Sequence, residues 1–361
     1  MINIAKPTLL LDEQKCKTNI RRMAYKASEN DVSFRPHFKT HQSLEIGYWF
    51  KEEGVTKITV SSVSMAQYFA QEWNDILIAF PINLMEIDQI NQLAGKINLQ
   101  LLVENIEAIE FLSKKLNHQV GFYIKIDAGY HRTGVDSDNH DLIDQILQKA
   151  AESDKLSFTG FLSHAGHTYN TNSITEILKI RNDENLAMLA LKARYIADYP
   201  KIIASVGDTP SCSIADHFSG IDEIRPGNFV FYDLMQLSLG VCDPEQIAVV
   251  MACPIVALHK ERNEMVIYGG GVHFSKDVIN INENQVFGQV VEKVENGWGN
   301  PIPGMIVKKL SQEHGIVHLS DTLKDKLKIG DLLYILPVHS CMTADIYSSY
   351  LTINGKTIPR L

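Results

Sequence analysis

Between Ser33 and Tyr232, short β-branched runs alternate with longer stretches whose apolar residues recur at helical spacing. The short runs are Ser33–Phe38, Lys57–Ser61, Asp75–Phe80, Asn98–Val103, Val120–Asp127, Leu156–His164, Lys201–Val206 and Ile221–Ile224. Helical spacing covers His41–Glu53, Ser64–Trp73, Leu84–Leu93, Ile106–Leu116, Leu142–Ala151 and Ser173–Asp198. Eight strands joined by helices or turns predict an α/β fold, a (β/α)8 barrel over residues 13–240. After about Gly240 the long helical periods give way to strand-like runs: Ala248–Met251, Ile255–Leu258, Met265–Tyr268, Gly304–Lys308, Gly315–Leu319 and Leu332–Ile335. They predict a second, mostly β domain over residues 241–361, completed from residues 1–12 by a strand at Pro7–Leu11.

The chemically interesting residues stand where the predicted barrel strands end. These are Lys39 after the first, Asp127 to Arg132 after the fifth, His164 to Tyr169 after the sixth, Gly207 to Ser211 after the seventh, and Arg225 to Asn228 after the eighth. Barrel active sites are built from these C-terminal strand ends, so the fold gathers distant residues at one mouth. Lys39 lies between His37 and His41. A partly desolvated lysine among cationic neighbours loses its proton cheaply, as a Schiff-base or proton-shuttling lysine must. A solvated loop lysine is the plain alternative, and His37 with His41, at i,i+4 spacing, also suits a metal-only barrel hydrolase. The small-residue loops Gly207-Asp208-Thr209-Pro210-Ser211 and Arg225-Pro226-Gly227-Asn228 can cradle a phosphate or serve as ordinary turns.

His339-Ser340-Cys341 offers an imidazole and a thiol. In an extended segment both would point to one face. That pair suits zinc with open coordination positions; a buried cysteine beside a satisfied histidine is the other reading. Asp345 is a candidate outer partner of that pair.

Composition narrows the partners. The 361 residues carry a net charge of −9 and no basic stripe, which argues against nucleic acid and anionic membranes. No apolar run has the length of a bilayer span, and Met1–Pro7 lacks the apolar core of a signal peptide. The five cysteines are scattered, without a C-x-x-C pair, and predict a reducing cytoplasm.

Across essentially its whole length the chain resembles the fold-type III pyridoxal phosphate enzymes of the alanine racemase-like group. Within that group it is similar to the D-serine dehydratase and D-threonine aldolase family. Pro36-His37-Phe38-Lys39-Thr40-His41 resembles the family's cofactor-lysine motif, which implies that Lys39 carries pyridoxal 5′-phosphate. Asp127-Ala128-Gly129-Tyr130-His131-Arg132-Thr133-Gly134 resembles its fifth-strand motif, implying that Arg132 lies near the pyridoxal 3′-oxygen. His164-Ala165-Gly166-His167-Thr168-Tyr169 is similar to the segment whose tyrosine contacts the cofactor, here Tyr169. Thr209, Gly227 and Asn228 fall in segments that resemble its phosphate loops, and His339 with Cys341 resembles its metal pair. Ser311-Gln312-Glu313-His314-Gly315 also resembles a family segment, with no role assigned.

The resemblance implies a homodimeric lyase with zinc, or manganese, that eliminates water from a β-hydroxy-D-amino acid. H-x-C is similar to the zinc-dependent dehydratases, whereas the aldolases show H-x-D. D-threonine aldolase-type cleavage to glycine and an aldehyde is therefore the second reading, ahead of a racemase or a non-catalytic pyridoxal phosphate carrier. Tyr268-Gly269-Gly270-Gly271 departs from the family, which carries an aspartate ahead of these glycines.

Overall fold

The computed structural model describes residues 3–281 and 284–361. Two compact units divide the chain, one of Arg21–Gly227 and one of Met1–Ile20 with Asn228–Leu361.

In the first unit, eight parallel strands follow one another around a barrel. They are β1 (Ser33–Phe34), β2 (Ile58–Val60), β3 (Asp75–Pro81), β4 (Asn98–Val103), β5 (Val120–Asp127), β6 (Leu156–Leu162), β7 (Ile203–Val206) and β8 (Glu223–Ile224). β8 pairs with β1, and the chain beyond β1 closes the ring against β2. There His37 bridges Thr59, the Thr59 N–H donates to the Pro36 carbonyl at 2.9 Å, and the Phe38 N–H donates to the Thr59 carbonyl at 2.8 Å. β1 is shorter than its apolar pattern predicts because Pro36 has no N–H to give a ladder.

The helices between strands start where short polar side chains occupy backbone N–H groups. Ser62 caps Val63–Phe69, Asn105 caps Ile106–Lys115 and Ser173 caps Ile174–Tyr195. Inside the barrel, Leu77, Leu102, Tyr123 and Leu162 pack as a fully buried cluster. The interior also holds a polar plug. Glu223 accepts from Arg35 Nε at 2.8 Å, Ser205 Oγ at 2.8 Å and Tyr123 Oη at 3.2 Å, and Arg35 also reaches Asp75 at 2.7 Å.

The second unit is a nine-stranded sheet. Six of its strands (Val249–His259, Glu264–Tyr268, Gly288–Val294, Gly297–Leu310, His314–His318 and Leu332–Pro337) close on themselves by antiparallel pairing. Thr8–Leu11 joins them, antiparallel to Val249–His259 and parallel to Ser349–Thr352. Gly297–Leu310 is longer than the Gly304–Lys308 expected from sequence. Pro301 and Pro303 read as strand breakers, yet bulges in the pairing with Gly288–Val294 accommodate them. Among the described residues no helix is long and apolar enough to cross a membrane.

Candidate active site

A cavity of about 390 Å3 opens in the barrel unit, within the range of small-ligand sites. Leu102 and Leu162 of the core cluster line it, so the packed interior forms its wall. Four cationic side chains also line it, Lys39, Lys125, Arg132 and Arg225, against one carboxylate, Asp208. Tyr169, Thr209 and Gly227 complete the set that sequence placed at the barrel mouth. An anionic ligand suits this lining, and a primary amine within it can condense with a carbonyl.

Local packing aims each group. Phe38 is fully buried, with ring centroids 5.0 Å from Phe50, 5.0 Å from Phe69 and 5.1 Å from Trp73. With its neighbour anchored this way, Lys39 is left at the cavity. His41 instead joins the aromatic cluster, 4.4 Å from Phe38 and stacked on Phe50, while His37 lines the cavity. The i,i+4 metal reading of that pair therefore has no support, because the two rings face different surroundings.

Arg132 sits on a tight loop. The Asp127 carboxylate accepts the N–H groups of Gly129 and His131, both at 3.0 Å, and His131 is left-handed with φ 55°. Across the cavity the Thr209 N–H donates to the Tyr169 hydroxyl at 3.4 Å. At Gly207, with φ 145°, an added Cβ would lie 2.5 Å from the Arg225 nitrogen, so glycine lets the two loops meet.

Burial and neighbouring positive charge set the protonation states. His37 and His164 are both pushed well below the usual imidazole range by burial and then by Lys39, which leaves them neutral. His164 Nδ1 lies 3.1 Å from the Gly207 carbonyl, an arrangement that places its proton on Nδ1. Lys125 is pushed down to about 8 by burial and by Arg225. Burial and the nearby Asp208 push Glu184 up to about 7, while its carboxylate accepts from Ser163 Oγ at 2.5 Å. The Arg225 guanidinium is fixed by donation to Ser205 Oγ at 2.8 Å and to the Ser163 and Ser205 carbonyls. Sequence reading assigned nothing to Lys125 or Glu184, because a lone lysine in an apolar strand and one acid within the polar helical run Arg181-Asn182-Asp183-Glu184-Asn185 give no motif.

Asn228 falls in the second unit, and its side chain is occupied there. Its Nδ2 donates to Asp233 at 2.7 Å and to Ser340 Oγ at 3.0 Å and lies 3.5 Å from Cys341 Sγ, while its buried Oδ1 finds no partner among the described residues. His339 and Cys341 converge in the same cluster, though not as expected. His339 is extended, but Ser340–Ala344 forms a helical turn, with Thr343 N–H donating to the His339 carbonyl at 3.1 Å. Asp233 imposes the turn by accepting the Ser340 N–H at 2.9 Å and its hydroxyl at 3.2 Å. Burial disfavours charge on His339, yet its hydrogen bond with Cys341 and the charges of Asp233 and Asp277 outweigh that and hold it up at about 9. Asp345, the candidate outer partner, pairs with Arg360 at 2.6 Å. A thiol and an imidazole side by side make a donor pair that fits a zinc-like ion.

Two family descriptions cover the chain: "Alanine racemase, N-terminal domain" over residues 11–234 and "Putative serine dehydratase domain" over residues 248–353. The D-serine dehydratase of Dictyostelium discoideum is 31% identical, over 98% of this chain and 94% of that protein. The chain belongs to the D-serine dehydratase and D-threonine aldolase family. It is thus a fold-type III pyridoxal phosphate-dependent lyase with an alanine racemase-like fold.

Among other family members, the D-threo-3-hydroxyaspartate dehydratase of a Delftia species is 27% identical over 97% of this chain and 94% of that protein. Its solved structure superposes with a TM-score of 0.91, covering 99% of this chain and 98% of that chain. Solved variants of that enzyme replace a histidine and, two positions on, a cysteine, the latter in a metal-free form. A D-threonine aldolase of an Arthrobacter species is 22% identical over 98% of this chain and 90% of that protein.

Proposed function

We propose that this chain is a metal-dependent D-serine dehydratase-type lyase that removes water from a β-hydroxy-D-amino acid and releases a 2-oxo acid and ammonia. The observation that carries the reading is the barrel cavity, where Lys39 stands among three further cations and one carboxylate. Pyridoxal phosphate would be held there by Lys39, Arg132, Tyr169, Thr209 and Gly227. When bound, it supplies an electron sink that acidifies the Cα–H of an amino acid. His339 and Cys341 would hold the metal, zinc or manganese, whose Lewis acidity helps a hydroxyl depart.

The chain's own residues do the rest. Lys39 Nζ takes the Cα proton, in a cavity it shares with the cations Lys125, Arg132 and Arg225. Neutral His37 and His164 can accept hydrogen bonds in the cavity without adding to its positive charge. Arg225, held rigidly by Ser163 and Ser205, presents a fixed planar cation to whatever anion the cavity binds. The serine dehydratase match over residues 248–353 spans both His339 and Cys341, which supports elimination over retro-aldol cleavage. The reading includes a homodimer, on family resemblance, and a reducing cytoplasm, on five scattered cysteines that form no disulfide among the described residues.

The test is pyruvate release from D-serine by the purified protein, with and without a chelator. Pyruvate that disappears on chelation and returns with zinc is the expected result. Full activity after metal removal would refute the metal role. Glycine and acetaldehyde from D-threonine, without pyruvate from D-serine, would replace elimination with aldol cleavage.

A further inference from the structure

We propose that Asp277 is the positioning carboxylate of the metal pair, setting the tautomer and tilt of His339 so that Nε2 is left for the ion beside Cys341. The inference rests on the reading of His339 and Cys341 as metal ligands. Its basis is geometric. Asp277 Oδ2 lies 3.8 Å from His339 Nδ1, on the ring nitrogen that a second partner must occupy if the other binds metal. Closing by about 1 Å makes this a charge-assisted hydrogen bond. Donation from Nδ1–H to a carboxylate fixes the ring and makes the opposite nitrogen more basic.

The loop that carries Asp277 is built to hold it. Ser275 Oγ donates to Asp277 Oδ2 at 2.8 Å, and the Asp277 N–H donates back to Ser275 Oγ at 3.3 Å. Ser275 takes φ 69°, in the left-handed region, a conformation kept only where the surroundings over-determine it. One residue earlier, the Phe274 carbonyl accepts from Thr343 Oγ1 at 2.8 Å. Thr343 belongs to the same helical turn as Cys341, so one bond ties the Asp277 loop to the thiol's own support.

The other acids around His339 and Cys341 are committed elsewhere. Asp233 accepts at both oxygens, from Asn228 and Ser340 on one and from the Gln236 N–H on the other, and Asp345 is paired with Arg360. Asp277 therefore acts through His339 and is not itself a third ligand, which agrees with the lack of any three-residue metal cluster among the described residues.

The experiment is zinc affinity of the pyridoxal phosphate-loaded protein, read by competition with a chromophoric chelator. Asp277→Ala should bind zinc roughly 10- to 100-fold more weakly than wild type, with Asp277→Asn between them and Asp277→Glu restoring part of the loss. Cofactor absorbance and the unfolding midpoint of the zinc-free protein should not move. Wild-type affinity in Asp277→Ala would overturn the inference and leave the metal pair standing. A wild-type protein that takes up neither zinc nor manganese would overturn the metal reading, and Asp277 with it. If Asp277→Ala does not fold, Ser275→Ala removes only the brace. A smaller weakening there supports the role, and unchanged affinity overturns it.

Discussion

Single buried ionisable groups carry chemistry that no motif announces. Glu184 stands on the long helix Ile174–Tyr195 as a fully buried carboxylate, held up at about 7 against an ordinary value of 4.5 by burial and Asp208. A folded-state value above the unfolded one means the native state holds the proton more tightly. Glu184 then contributes stability that is complete below about 4.5 and is lost as pH rises through about 7. Lys125 acts in a separate window. Its value of about 8, below the ordinary 10.5, gives stability that is present above 10.5 and lost as pH falls through about 8. Glu184→Gln should therefore flatten the pH dependence of the unfolding midpoint across the lower window while keeping the acceptor for Ser163. Identical slopes for variant and wild type would refute that origin. That Lys39, Arg132, Tyr169 and Thr209 meet at one cavity was legible in sequence because each sits in a local pattern at a strand end. Glu184 and Asp277 were not, since the meaning of each comes from a partner far along the chain.

At the scale of elements, the barrel was readable because parallel strands buried on both faces are continuous apolar runs, and polar side chains at their ends mark the mouth. The turn at Ser340–Ala344 was not readable. A short polar segment after Leu332–Pro337 reads as extended, and only the distant Asp233 carboxylate on the Ser340 N–H makes it helical. The barrel's polar plug was hidden for the same reason. Glu223 at the start of β8 is fully buried, and Arg35, just after β1, is its main counter-charge. Truncating Arg35 leaves the buried Glu223 only the weaker counter-charge of Lys57, at 3.4 Å. Arg35→Met should cost about 3–5 kcal/mol in chemical denaturation, with most of it recovered in Arg35→Met combined with Glu223→Leu. A double variant as unstable as the single one would show that Arg35 stabilises by packing rather than by charge compensation.

At the scale of the whole molecule, the chain begins and ends in the same unit. Thr8–Leu11 lies between Val249–His259 and Ser349–Thr352, and the barrel unit is the continuous segment Arg21–Gly227 inserted between these ends. The residues proposed for pyridoxal phosphate lie in the inserted segment, while His339, Cys341 and Asp277 lie in the unit that closes around it in sequence. Each set has its own supports. Phe38 packing and the Asp127 loop serve the first; Asp233, Ser275 and Thr343 serve the second. Stripping the metal should therefore abolish turnover and leave the visible absorbance of the bound cofactor in place. The converse variant, Lys39→Ala, should lose that absorbance and still take up one zinc per chain. Both spectra and both metal counts come from one set of preparations. Loss of cofactor absorbance on chelation alone would show that the metal supports the lysine site, and the separation argued from their distinct supports would fail.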